Sequence, residues 1–198
     1  MKMTTFRIIG AAILIASGIF AACNPKSESK ENTTVAQSEE KTEQKENPFD
    51  GLREMALYVT AEQLGIETPE GETKVYGIVM DWDLGDGIAT VSAYETGDAS
   101  MYLSSGGGVI GGGQHENVRQ AVSPYIQLGQ EFLSKSEQTE STPLPDNGCV
   151  RFYFLTNNGT YYAQETMKNI ENENSDWLKL FEEANKVLTE LRLTSEQK

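Results

Sequence analysis

Hydrophobic and polar positions divide the chain into three stretches. Residues 8–22 are an unbroken run of small and apolar side chains placed behind Lys2 and Arg7. Residues 24–47 hold no aromatic residue and a single large aliphatic, Val35, among Ser, Thr, Glu, Gln, Asn and Lys. From Pro48 onward apolar positions return at regular spacing over about 150 residues, enough for one domain with a real hydrophobic core and hardly enough for two.

Within that third stretch the spacing predicts individual elements. Leu52, Met55, Ala56 and Val59 recur at helical intervals behind Phe49, so a short amphipathic helix is expected. Thr60-Ala61-Glu62-Gln63 has the form of a capping box and predicts a further helical turn ending near Gly65. Val75, Tyr76, Ile78, Val79, Met80 and Trp82 predict a strand over 74–84, with Gly85-Asp86-Gly87 as the turn into a second strand over 88–95. Gly97-Asp98 turns the chain again, into a shorter strand at Met101-Tyr102-Leu103. Strand alternation puts Asp81 and Asp83 on one face, opposite Met80 and Trp82, and reads them as the solvent side of an edge-capable strand.

Downstream, Val118, Ala121, Val122, Tyr125, Leu128, Phe132 and Leu133 predict a helix. Pro124 sits inside it, and a mid-helix proline costs about 3 kcal/mol. A kink is therefore expected, or two helices with Ser123 as cap. Residues 134–148 read as a polar loop, and residues 150–156 and 160–164 as a hairpin around Asn157-Asn158-Gly159. Ser175 caps the clearest element, a helix whose Trp177, Leu180, Phe181, Ala184, Val187, Leu188 and Leu191 form one stripe. The order helix, three strands, helix, two strands, helix predicts an α+β domain with an antiparallel sheet of about five strands covered by helices. In element order, though not in motif, it resembles profilin-like or roadblock-like sheets.

Charge and cysteine usage narrow the classes. The chain carries a formal charge of −14. The first 22 residues hold two bases and residues 23–47 hold four Lys against six Glu, so the domain over 48–198 keeps the whole −14. An acidic body of this strength repels nucleic acid, and no nucleic-acid partner is expected. Of the two cysteines, Cys149 is expected to be a small buried hydrophobe at the start of a strand, with a reactive or intermolecular thiol as the alternative.

The other cysteine closes the apolar run at Phe20-Ala21-Ala22-Cys23. This tetrapeptide resembles the lipobox of bacterial lipoproteins, departing from the usual pattern only in Phe20, which stands where Leu is more common. The resemblance implies a signal peptide over 1–22, cleavage before Cys23, acylation of that thiol, and a cell-envelope address. The run is too short to span a bilayer comfortably, and anchoring by more than one acyl chain is what stable membrane residence requires. An ordinary secretory signal, with Cys23 left free, and an uncleaved anchor helix stay open beside it. Asn24 is not the Asp that marks inner-membrane retention in enterobacterial lipoproteins, which favours the outer membrane over the outer face of the cytoplasmic membrane where two membranes exist. Residues 24–47 cannot bury enough apolar surface to offset the entropy of ordering them, and read as a tether a few nanometres long.

Candidate chemistry centres on Gly106, Gly107, Gly108, Gly111, Gly112 and Gly113, two triplets parted by Val109-Ile110 and leading into a helix start at His115. Backbone amides there could hold a ligand or partner, yet the stretch lacks the Gly-Lys-Ser or Gly-Lys-Thr of a phosphate-binding loop and is no clean dinucleotide fingerprint. Glycines serve equally where backbones pass close together. A hydrolase reading would assemble Ser104 or Ser105, Gly111 to Gly113, His115 and an acid such as Asp98, without any nucleophile-elbow motif. A capping or surface role for His115 is the plainer alternative. One histidine and two cysteines exclude a metal site built on several such ligands. Asp81, Asp83 and Asp86 fail the calcium-loop pattern, since Gly85 occupies a ligand position and Ser92 stands where the bidentate Glu belongs.

The block from Tyr102 through Val122 is similar to that of uncharacterised bacterial proteins, and this resemblance brings no activity with it. The reading is a lipid-anchored envelope protein, a protein-binding or accessory module without catalytic residues or cofactor. A small hydrolase or ligand-binding enzyme centred on the glycine-rich loop and His115 is the alternative.

Overall fold

The computed structural model describes residues 47–196. The expected signal peptide, Cys23 and nearly all of the tether lie outside the described residues. The chain folds as α1 (Phe49–Tyr58), β1 (Val75–Asp83), β2 (Ile88–Tyr94), β3 (Ala99–Leu103), β4 (Gly108–Val109), α2 (Glu116–Phe132), β5 (Glu137–Thr139), β6 (Cys149–Thr156), β7 (Gly159–Thr166), α3 (Met167–Glu171) and α4 (Leu178–Glu196). All seven strands join one antiparallel sheet in the order β4-β3-β2-β1-β6-β7-β5.

The α+β class with an antiparallel sheet stands, but the sheet has seven strands where about five were expected. All five predicted strands are present. The additions are the edge strands β4 and β5, two and three residues long, which lie inside the glycine-rich stretch and the expected polar loop. Short edges of this kind offer little template for pairing with another chain.

β1 occupies the centre, between β2 and β6, and is buried from Val75 through Asp81. Such continuous burial requires cover on both faces. On one face Ile78 and Met80 of β1, Val91 of β2 and Phe152 and Phe154 of β6 meet the inward stripes of α2 and α4. On the other, Tyr76, Val79, Tyr94, Tyr102, Tyr153 and Leu155 meet Phe49, Ala56 and Leu57 of α1. Each fully buried large side chain contributes roughly 1.5–3 kcal/mol, and the α2/α4 face holds most of them. The α1 face adds polar ties: Tyr94 donates to the Ala56 carbonyl at 2.9 Å and Tyr76 to the Val59 carbonyl at 3.0 Å.

The capping box forms as expected. The Thr60 amide donates to Gln63 Oε1 at 2.8 Å, and the Gln63 amide to Thr60 Oγ1 at 3.2 Å. Of the two expectations at Pro124, the split into two helices does not occur, because α2 runs through it. Pro124 is exposed, so the carbonyl that loses its amide partner can bond water. Val118, Val122, Tyr125, Ile126 and Leu128 meanwhile hold both halves to the sheet.

Ser175 secures the start of α4 as anticipated. Its Oγ accepts from the Trp177 amide at 3.0 Å and donates to Glu165 Oε2 at 2.6 Å. Trp177 packs on Phe132, Phe152 and Phe154. Cys149, the first residue of β6, is buried and has no disulfide partner among the described residues, and its pKa is raised by burial and by the nearby Asp146 carboxylate. Among the described residues no helix is long and apolar enough to cross a membrane.

Candidate functional site

The glycine-rich segment is bonded down along its length. Gly106 and Gly107 make the turn after β3: the Gly106 amide donates to the Leu103 carbonyl at 2.9 Å, and the Leu103 amide to the Gly107 carbonyl at 3.1 Å. Gly108 pairs with Tyr102 in the sheet. The Gly111 amide donates to Ser100 Oγ at 3.1 Å and the Gly113 amide to Asp98 Oδ1 at 2.7 Å, while Arg119 Nη1 donates to the Gly113 carbonyl at 2.6 Å.

Two of these glycines are required by close approach. A Cβ on Gly108 would lie 2.2 Å from the Met101 carbonyl oxygen, and one on Gly112 would lie 2.4 Å from Leu191 Cδ2 of α4. Between them Ile110 projects into solvent, 65% exposed.

His115 occupies the N-cap position of α2 in extended conformation, and its side chain makes no capping bond. It is half-buried and lines a cavity of about 510 Å³ together with Gly108, Gly111, Gly112, Ile110 and the last turn of α4 at Thr194 and Ser195. Gly106, Gly107 and Gly113 do not line that cavity. Val109 and Gln114 complete the cavity walls, which mix glycine backbone with apolar, hydroxyl, amide and imidazole side chains.

The Ser-His-Asp grouping is not assembled. Asp98 precedes β3 and Ser104 follows it, so the five extended residues of β3 hold them roughly 20 Å apart. Ser104 Oγ accepts from the Ile88 amide at 2.7 Å, and Asp98 is turned to the Gly113 amide. Ser105 is exposed.

A second polar constellation, on the α1 face, was missed by the sequence reading. Asp81 is wholly buried and not on a solvent face, because β1 is central and α1 covers it. Its cross-strand neighbours are Thr90 on β2 and Arg151 on β6. Thr90 Oγ1 donates to Asp81 Oδ1 at 2.6 Å, while Arg53 of α1 donates to Asp81 Oδ2 from Nε at 2.9 Å and Nη2 at 2.6 Å. Burial pulls the Arg53 pKa down, but the pairing with Asp81 outweighs it and leaves it above the ordinary guanidinium value.

The same residues reach the segment before β6. Arg53 Nη2 also donates to the Thr142 carbonyl at 2.9 Å, and Arg151 Nη1 to the Pro143 carbonyl at 3.2 Å. The Tyr153 hydroxyl donates to that same Pro143 carbonyl. The guanidinium carbons of Arg53 and Arg151 lie 5.9 Å and 5.6 Å from the ring centroids of Tyr153 and Tyr162. The available signal was a charge inside an otherwise apolar strand run, at both Asp81 and Arg151.

Asp83 and Asp86 do not join Asp81 in a cation site. Asp83 accepts from the Gly85 amide at 3.1 Å and the Gly148 amide at 2.6 Å, and Asp86 is exposed in the β1–β2 turn. No family model, curated protein or solved structure matches the chain.

Proposed function

We propose that this chain is a lipid-anchored envelope protein whose acidic domain serves as a protein-binding or accessory module. The observation that carries the proposal is the apolar run of residues 8–22 closed by Phe20-Ala21-Ala22-Cys23 and followed by a polar tether. More than one acyl chain on the mature N-terminus would hold the domain at a membrane surface, and the tether gives it reach within the envelope. The architecture is profilin-like or roadblock-like in kind, a reading supported by the succession of hairpins and helices around one antiparallel sheet. The contact region is the loop spanning residues 106–115, where exposed Ile110 stands beside the cavity that His115 lines.

Metabolic palmitate labelling tests the address. The wild-type chain is expected to take up label and fractionate with membranes, whereas Cys23→Ala takes up none. A chain recovered with its leader intact inside the cell, or unmodified at Cys23, overturns the proposal. For the contact region, Ile110→Asp and His115→Ala are expected to reduce recovery of co-purifying envelope proteins from membranes, with the fold kept.

A further inference from the structure

The outer side of α1 and the segment across from it expose large apolar side chains. Met55 and Tyr58 of α1 are 72% and 60% exposed, and Leu144 is 43% exposed. Isolated exposed apolar residues are ordinary, but grouped ones mark contact surfaces. These three belong to segments fastened together. Tyr58 Oη lies 3.4 Å from Thr142 Oγ1, and Arg53, held from below by Asp81, bonds the Thr142 carbonyl at 2.9 Å. Buried ion pairs of this kind are retained in some proteins for the geometry they specify. Here that geometry keeps α1 and residues 142–144 in fixed relation.

Between the two segments lies a cavity of about 260 Å³, with Asp50, Glu54 and Tyr58 among its walls. Arg53 borders it as well, but its charge is engaged by Asp81. Asp50 and Glu54 enter no ion pair among the described residues. The surface is therefore apolar with an anionic recess beside an aromatic ring, a setting suited to an ammonium or guanidinium. A second copy of the chain, or an anionic bilayer, would meet it with like charge, given the formal −14.

We infer that the outer face of α1, with the segment around Leu144, docks a basic, apolar segment of a protein partner. Its Lys or Arg enters the recess between Asp50 and Glu54, and its apolar side chains cover Met55, Tyr58 and Leu144. The inference rests on the binding-module reading and specifies its partner.

The test uses full-length Cys23→Ala chain in non-ionic detergent, so that acylation plays no part. It is titrated with short synthetic peptides of alternating Lys and Leu, Glu and Leu, or Lys and Gln. The Lys/Leu peptide is expected to bind, less tightly as salt rises, and about tenfold more weakly to Tyr58→Ser and to the Asp50→Asn/Glu54→Gln double variant. The other two peptides are expected to bind at least as weakly as the variants do. Equal binding of the Lys/Leu and Lys/Gln peptides, or binding untouched in both variants, overturns the inference. So does self-association abolished by Met55→Ser, or preferential binding to anionic vesicles. Palmitate incorporation at Cys23 is read separately, so loss of the surface and loss of the anchor are distinguishable.

Discussion

Enclosing a carboxylate in the middle of a sheet costs several kcal/mol in lost hydration unless donors surround it. Asp81 meets them from two directions: Thr90 beside it in the sheet and Arg53 above it from α1. Removing one member strands the other, so Asp81→Asn and Arg53→Met are each expected to lower the unfolding free energy by about 3–5 kcal/mol. The double variant should lose less than the sum, because the two residues share one interaction. Urea denaturation of the four proteins checks this, and strict additivity would show that the pair is not coupled. Tyr125 presents the reverse case, since its hydroxyl is buried on α2 with no hydrogen-bond partner among the described residues, and burial holds its pKa far above the ordinary phenol range. Tyr125→Phe is expected to raise stability by about 1 kcal/mol, and a comparable loss in urea denaturation would reveal a hidden partner. Neither residue declared its surroundings in the sequence. Alternation correctly paired Asp81 with Asp83 on one face, but it does not say what covers that face.

Long, patterned elements were legible and short ones were not. The stripe of α4 and the hairpin of β6 and β7 carry a repeat long enough to read from spacing alone. β4, β5 and α3 have five residues or fewer and no periodicity to read. The glycine cluster was visible as a segment that folds tightly, while the ring of Asp98, Ser100 and Arg119 bonds that holds it depends on β3 and α2 meeting in space. Element junctions also set part of the pH response. Burial raises the Glu165 pKa, but bonds from Ser175 Oγ, the Thr166 amide and Asn169 outweigh it, and the net shift is downward from 4.5. A carboxylate depressed in the folded state adds stability that is fully present above the unfolded value and disappears as pH falls through the folded one. Glu165→Gln is therefore expected to flatten the acid limb of a plot of melting temperature against pH. An acid limb identical to wild type would show that the junction between β7 and α4 does not sense this group.

At the scale of the whole molecule, charge and layering act in opposite directions. The sheet is clamped between a two-helix layer and the thinner cover of α1, while the formal −14 pushes the surface apart. Screening shortens that repulsion to about 8 Å at physiological ionic strength. The melting temperature is accordingly expected to rise by a few degrees between roughly 10 and 300 mM KCl. A fall would mean that exposed ion pairs such as Lys74 with Glu95 outweigh self-repulsion. Cys149 offers a way to watch the strand beside β1. Its sulfur is shut away at the first residue of β6, so an alkylating reagent reaches it only when that end of the strand lets go. Once Cys23 is acylated or replaced, the speed of modification becomes a clock for local opening, readable by mass without any added label.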